Sequence, residues 1–567
     1  MTYFKLSIFL LFFLFLQKGY GQPPGETMVN PHAVATYECA GLYWKTMESG
    51  PCTVRYRAVG SEIWQDGLDL VYDEREGEYR GSIINLKPYT KYEAELSHRS
   101  ENTKMEFTTR NDDFSIGKTT VIPAGESDQT ITITESGRPD AYHLVTVPAE
   151  TRSVLNIKNV YDAGIIIDAD YVIVRGIEVR NARKDGIRIK KGHHNIVIED
   201  CYITFWGRIG GSITNGNMEG NYDSGIYAEN DCWNLTIQRN LIEEPRGASN
   251  DWETGHPAGP QGISIFQSLG GNVIRYNDIV STEDHGFNDG IGGGSNYSTV
   301  GNMNRDSDIY GNLIRSVWDD AIEVEGSNKN VRVFGNYAEK FFNGVATAST
   351  THGPIYIFRN VMGESRTGQR NTMGGAFVKT GEREPYNGGR RYVFHNTILQ
   401  PNGVKDAFTG HVNPNCVTRN NIFDLPGRLA THREKEPASD YDYDYFSGLS
   451  KGTAEEEHGI EFYTTPAGTR LYVSSTGLEF YPRLYINSIA WGKYPYEFGD
   501  KKRNITDPMI QLKNPLIDGG IVLKGFNDDY RGDGPDLGAF ETGERALEFG
   551  RRAYLSYDEG WCPWEKY

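Results

Sequence analysis

Cysteine is scarce: six residues in a chain of 567 are too few and too scattered for a disulfide framework to hold the fold. Cys39 and Cys52 are close enough in sequence to bridge within one small domain, whereas Cys201, Cys232, Cys416 and Cys562 show no metal spacing and are expected as buried thiols. Positive charge is in deficit, with 58 Lys and Arg against 76 Asp and Glu and a formal net charge of −18. A field of that sign disfavours nucleic acid, although a local basic patch escapes a distant net charge through screening over about 8–10 Å. Amphipathic segments of helical period do not alternate with the strands, which excludes a β/α barrel. Beyond the first residues no run is apolar enough to span a bilayer, which takes roughly 20 residues.

What is present begins with Lys5, the apolar run Ile8 to Leu16, and the small residues Gly19 and Gly21. A basic start, a short apolar stretch and small residues make a secretory signal peptide over residues 1–21, cleaved near Gly21–Gln22. The mature protein is therefore expected to be soluble and secreted or periplasmic.

Residues 28–110 read as short strands with apolar–polar alternation, among them Thr53 to Arg57, Tyr79 to Ile84 and Tyr92 to Leu96. The segment Leu86-Lys87-Pro88-Tyr89-Thr90-Lys91-Tyr92 resembles the signature of fibronectin type III domains. That resemblance implies a small β-sandwich in which Tyr92 makes the tyrosine-corner contact and Trp44 fills the core. In secreted enzymes such a domain is usually a spacer or docking module.

From residue 111 to 545 the chain is expected to form a right-handed parallel β-helix, followed by a tail over 546–567. The evidence is an internal repeat. One half is a turn residue, a small residue and an alternating strand, as in Asp185-Gly186-Ile187-Arg188-Ile189, Ser224-Gly225-Ile226-Tyr227, Gln261-Gly262-Ile263-Ser264-Ile265, Asp289-Gly290-Ile291 and Asp320-Ala321-Ile322-Glu323-Val324. The other half is a strand ending in Asn, at Asn240, Asn277, Asn312, Asn336, Asn360 and Asn396, with steps of 37, 35, 24, 24 and 36 residues. The 24-residue step is one bare coil, and longer steps carry loops. Asn tolerates the left-handed conformation of a tight turn, and stacked Asn side chains can bond along the ladder. Near the end, Asn514 to Gly520 and Asp529 to Glu541 resemble the closing segment of secreted bacterial β-helix proteins, with Asp536 and Glu541 as structural residues.

Alternation assigns faces. With Ile322 and Val324 inside, Glu323 and Glu325 point outward, about 6.5–7 Å apart. Equivalent outward positions in other coils are Arg188 and Lys190, Tyr227 and Glu229, and Ser264 and Phe266. Coils stack about 4.8 Å apart, so these residues form one exterior strip, basic, then aromatic, then acidic, suited to an extended polysaccharide. Arg188, Lys190, Tyr227 and Phe266 are its expected substrate contacts, although the basic coil also reads as a solvated charged face. Asp289 and Asp320 share a repeat position in neighbouring coils, Asp319 lies beside them, and His285 is on the preceding loop. These carboxylates suit acid and base roles in glycoside hydrolysis, or they ligate Ca²⁺; an Asp before Gly, as at Asp289, is also an ordinary turn former.

Glu323-Val324-Glu325, Asn330 to Asn336 and His352-Gly353 resemble the core coils of β-helix polysaccharide lyases of the alginate lyase and chondroitinase B type. The resemblance implies that Glu323 and Glu325, with Asp319 beside them, hold Ca²⁺ against a substrate carboxylate while a lysine abstracts a proton and an arginine assists. The lysine and arginine are missing at the corresponding places: Thr351 precedes His352, and Lys329 is out of register. The base for a β-elimination then falls to His352, His285 or Lys379, with Asp320 and Asp289 as further catalytic carboxylates. Three functional classes follow: a lyase or dehydratase acting on an anionic, uronate-containing polysaccharide or oligosaccharide, a glycoside hydrolase using paired carboxylates, and a non-catalytic glycan-binding solenoid.

Overall fold

The computed structural model describes residues 30–210, 217–294 and 296–363 without a break, and shorter stretches from there to residue 554. The expected signal peptide, the Asn514-Pro515 start of the closing segment, Cys562 and the end of the tail lie outside the described residues. No helix among the described residues is long and apolar enough to cross a membrane.

Two four-stranded antiparallel sheets come first in the chain. In Thr53–Ala58, Val54 and Tyr56 are buried while Thr53 and Arg55 face water, the alternation that gives a strand one core face. The inner faces of the two sheets share one core, with Leu42, Trp44 and Tyr79 from one sheet against Val54, Tyr56, Tyr92, Leu96 and Phe107 from the other. Tyr92 accepts the backbone N–H of Lys87 at 2.9 Å, the expected corner contact. Cys39 and Cys52 do not bridge; both are free, buried thiols. Cys52 packs inside the sandwich, while Cys39 packs outside it against Ile84, Tyr356 and Phe394. Proximity in sequence put them on opposite sides of a sheet.

The rest is a β-solenoid of three long sheets, 9-, 12- and 15-stranded, in which each strand pairs in parallel with the strand one coil later, antiparallel only at the end of the third. In the nine-stranded sheet Ile165, Ile187, Ile226, Ile263, Ile291, Ile322, Val345 and Val378 stand in register. All are fully buried, each contributing about 1.5–3 kcal/mol. The small residue that opens each strand has a steric cause: a Cβ on Gly262 would lie 2.5 Å from the carbonyl oxygen of Gly290 in the next coil.

The Asn ladder forms as the repeat implies. Asn240, Asn277, Asn312, Asn336 and Asn360 each donate from Nδ2 to the Oδ1 of the next Asn at 3.0 Å. The run continues through Asn396 and Asn421 to Asp444. The left-handed residue of the corner is the one before each Asn: Arg239, Tyr276, Gly311, Gly335, Arg359, His395 and Asn420 all have φ between 53° and 65°. Asn is therefore there for its amide, which satisfies backbone groups of adjacent coils, and the tight turn falls on its neighbour.

The sandwich is fastened to the face of the 12-stranded sheet, which is not the face bearing the strip. Thr36 donates to Asp308, Tyr43 to Asp306 at 2.9 Å, and Arg332 to both Asp308 and Ser82. In the closing segment Asp536 accepts from the backbone of Asp518 and Thr542, and Glu541 from that of Arg531 and Asp536. Both carboxylates cap loops, as expected.

Candidate active site: a carboxylate cluster around one lysine

Register brings the site together. Asp289 and Asp320 open adjacent strands of the nine-stranded sheet, and the outward column runs Arg188, Tyr227, Ser264, Gly292, Glu323, Ala346, Lys379. Asp289, Asp319 and Asp320 offer oxygens within 4.8 Å of one another, and so do Asp320, Glu323 and Glu325. All five are buried, Glu325 with 0% of its surface exposed. Among the described residues a single ammonium pairs with them: Lys379 reaches over the Ala346 position to Asp320 at 2.7 Å and Glu325 at 3.1 Å.

Neutral donors complete the shell. Asp289 accepts from Gln261 Nε2 at 2.6 Å and from the backbone of Asp320 at 3.1 Å. Asp319 accepts from Trp252 Nε1 at 3.1 Å, and Asp320 from Asn343 Nδ2 at 2.8 Å. Glu323 is held by the backbone N–H groups of Gly293 and Gly294 at 2.8 and 2.9 Å. Glycine is required at 293, where a Cβ would lie 2.1 Å from the Ile265 carbonyl oxygen. Glu325 Oε2 is buried with no hydrogen-bond partner.

Burial, followed by repulsion from Glu323, Asp319 and Asp320, pushes Asp289 well above the usual carboxylate range. Burial and the Asp320 charge do the same to Asp319. Glu325 is raised by burial against the opposing pull of Lys379. Burial disfavours the charged form of Lys379, but Asp320 and Glu325 outweigh it and hold the ammonium well above its ordinary range. Tyr222, raised by burial and then by Glu323 and Asp289, keeps its phenol proton beside the cluster.

Of the expected catalytic residues, Asp289, Asp320 and Lys379 converge here, together with Asp319, Glu323 and Glu325. His352 and His285 do not join them. His352 contacts Ser327 and lies 3.6 Å from Glu76 of the sandwich; burial and the nearby Lys329 lower it to about 4. His285 faces the Pro245 carbonyl at 2.8 Å. The four expected substrate contacts form a patch farther along the strip. Arg188 lies over the Tyr227 ring at 5.3 Å, and Tyr227 meets Phe266 at 5.5 Å. The basic residues there are largely paired, Arg188 with Asp185 and Lys190 with Glu229.

Sequence reasoning passed over Trp252, His256, Gln261, Asn343 and Tyr222. His256, its side chain 68% exposed, places Nε2 4.0 Å from Asp319 and packs on Trp252 at 4.6 Å. Trp252 and His256 come from an inter-coil loop, where no repeat marks them. Gln261 and Asn343 occupy the same turn position as Asp289 and Asp320, and that column was the available signal.

No family model matches the chain, and no curated protein matches it. Among solved structures it is similar to pectate lyase Pel9A, at 16% identity and a TM-score of 0.38 over 75% of this chain and 86% of that one. It is similar also to a PL6 family polysaccharide lyase from Pseudopedobacter saltans, at 12% identity and a TM-score of 0.39 over 61% of this chain and 84% of that one. A third is the family 28 exopolygalacturonase of Yersinia enterocolitica, at 11% identity and a TM-score of 0.29 over 77% of this chain and 99% of that one. Likenesses this distant leave the functional reading to the site.

Proposed function

We propose that this protein is an exported carbohydrate-active enzyme that cleaves an anionic, uronate-containing polysaccharide or oligosaccharide by β-elimination. The observation that carries this reading is the cluster of five buried carboxylates around one ammonium, at the acidic end of an exterior strip with aromatic and basic groups. Buried like charges are costly and no fold requirement explains them, which is the mark of a functional site.

The donor set suits Ca²⁺: the ligands are hard carboxylate oxygens, and Glu325 Oε2 has no partner. Asp320, Glu323 and Glu325 would hold it, with Asp319 beside them. When bound, the ion neutralises the substrate carboxylate and acidifies the adjacent C–H.

The chain's own residues supply the rest. Lys379 adds positive charge where the enolate develops. His256, exposed at the mouth and next to Asp319, takes the proton from the carbon alpha to the carboxylate; an imidazole is the natural side-chain base near neutrality. The electron pair left behind forms the carbon–carbon double bond as the bond to the glycosidic oxygen breaks, and Tyr222 donates a proton to that oxygen. Turnover of pectate, alginate or glycosaminoglycan with growth of absorbance near 235 nm tests the reaction. New reducing ends without that absorbance overturn it.

A glycoside hydrolase is the second reading, and one observation favours it. Burial, with repulsion from neighbouring carboxylates, raises Asp289 and Asp319 well above the usual carboxylate range, and hydrolysis uses a raised carboxyl as acid beside an ionised one. The same assay separates the two.

A further inference from the structure

The column that carries the cluster is open in one direction and covered in the other. Toward the N-terminal coils the positions beyond Glu323 are Gly292, Ser264, Tyr227 and Arg188, four inter-strand steps or roughly 19 Å. Gly292 has no side chain and Ser264 is small, so the column itself stays low there, and the Tyr222 and Phe266 rings stand at its side, 3.3 and 3.6 Å from where a Cβ on Gly294 would be. Tyr222 and Tyr227 both pack on Phe266, at 5.3 and 5.5 Å, rings of the kind on which sugar faces stack.

Toward the C-terminal coils, among the described residues, the path is covered. Tyr297 lies over Ala348 and Gly381, the outward positions next to Ala346 and Lys379: a Cβ on Gly381 would be 2.5 Å from the Tyr297 hydroxyl and 3.0 Å from the Ala348 Cβ. Tyr297 is fixed there. Its N–H donates to the Ala348 carbonyl at 3.3 Å, Arg383 covers its ring at 4.9 Å, and Thr351 donates to the Ser298 carbonyl at 2.8 Å. On a third side Trp252 bonds Asp319 and stacks on Phe342 at 5.7 Å. A polymer crossing the strip would have to run through Tyr297 and Arg383.

We infer that the acidic cluster is the blind end of a one-ended cleft, so that the enzyme acts on the terminal unit of a chain whose remainder lies along Phe266, Tyr227 and Arg188. This rests on the carbohydrate reading above and adds the mode of action: exo, with Tyr297 and Arg383 as the residues that set it.

Two measurements on the full chain test it. The first is the binding ratio of the Glu325→Gln variant, after its circular dichroism is matched to wild type, to polygalacturonate and alginate fractions of defined length. End-on binding gives one protein per chain at every length, and a ratio that climbs with length overturns the inference. The second is the product profile of the wild type on long polymer. A single smallest product from the earliest times, with viscosity falling slowly, is expected; a ladder of oligosaccharides with rapid loss of viscosity overturns it. Tyr297→Ala with Arg383→Ala should convert the first pattern toward the second and raise the binding ratio above one. One protein per chain without absorbance at 235 nm upholds the blind end and removes β-elimination, so the two readings fail separately. Absence of binding to both polymers removes this one.

Discussion

Lys379 is the residue on which the cluster's charge balance turns. Among the described residues it is the one ammonium paired within the cluster of five buried carboxylates, with two of them, Asp320 and Glu325, 2.7 and 3.1 Å away. Removing one member of a buried ion pair costs about 3–5 kcal/mol because the other charge is left uncompensated. Lys379→Met should therefore lower the thermal midpoint, measured by calorimetry, and millimolar Ca²⁺ should restore more of it than it adds to the wild type, since the ion replaces the lost charge. A variant whose midpoint ignores Ca²⁺ would show that the carboxylates do not hold a cation. Glu325→Gln keeps the shape of the side chain and leaves Lys379 paired with Asp320 at 2.7 Å, so the fold should survive while kcat falls by about 10²-fold or more. His256 is largely exposed and touches the cluster only at its rim, through Trp252 and Asp319, so His256→Ala should lower kcat by about 10²–10⁴-fold with the midpoint little moved.

At the scale of the coil, the Asn ladder is where stability concentrates. Asn336 donates to Asn360 Oδ1 and the Ile309 carbonyl, and accepts from the N–H and Nδ2 of Asn312. Replacing it by Ala strands several buried groups at about 1–3 kcal/mol each, so a loss of at least about 2 kcal/mol is expected in urea unfolding. His395 fastens the closing segment to the solenoid. Its Nδ1 faces the Gly538 carbonyl at 3.1 Å, and its Nε2 accepts from Asn420 at 3.0 Å and Asn527 at 2.7 Å, a set that requires the neutral ring. Burial, with help from Arg359, lowers it from 6.5 to about 3. The unfolded chain binds the proton more readily, so this contribution is complete above pH 6.5 and is lost as pH falls toward 3, at about 1.4 kcal/mol per pH unit. His395→Gln should flatten that part of the stability–pH profile. The same scale explains what the sequence made legible. The coil repeat, the ladder, the inward column and the convergence of Asp289, Asp320 and Glu323 follow from period-two alternation; Lys379 does not, because the repeat puts Phe377 at the position that pairs with Val345 and Val378 takes it, which turns Lys379 outward. Trp252, His256 and Tyr297 belong to loops of no period, so their folding back over the strip left no trace in spacing. His352 went astray for a different reason: its neighbour is Glu76, in another domain, and a family motif says nothing about a contact it does not contain.

Across the whole molecule, the sandwich is a structural part of the solenoid, in contrast to the spacer its sequence suggests. Arg332 and Asp308 are both fully buried, and their ion pair is closed from the sandwich side by Thr36 and Ser82. Arg275 is covered in the same way, with its guanidinium 4.0 Å from the Tyr37 ring. Farther along, Lys329 and Arg80 meet at Glu76, and Ser82 donates its N–H to Tyr356 at 2.9 Å. A chain starting at residue 111 would expose this row of charges and aromatic rings without their partners, each unpaired group costing about 1–3 kcal/mol. The solenoid's stability is of the same order as a few such losses. We therefore expect the truncated chain to be insoluble or non-cooperative, and the intact protein to unfold in a single calorimetric transition whose van't Hoff and calorimetric enthalpies agree. Two resolved transitions, with the first leaving 235 nm activity in place, would show that the sandwich is only tethered to the solenoid. Asp308→Asn offers the finer form of the experiment: it keeps the shape of the junction but removes the charge that answers Arg332, and it should destabilise both domains together.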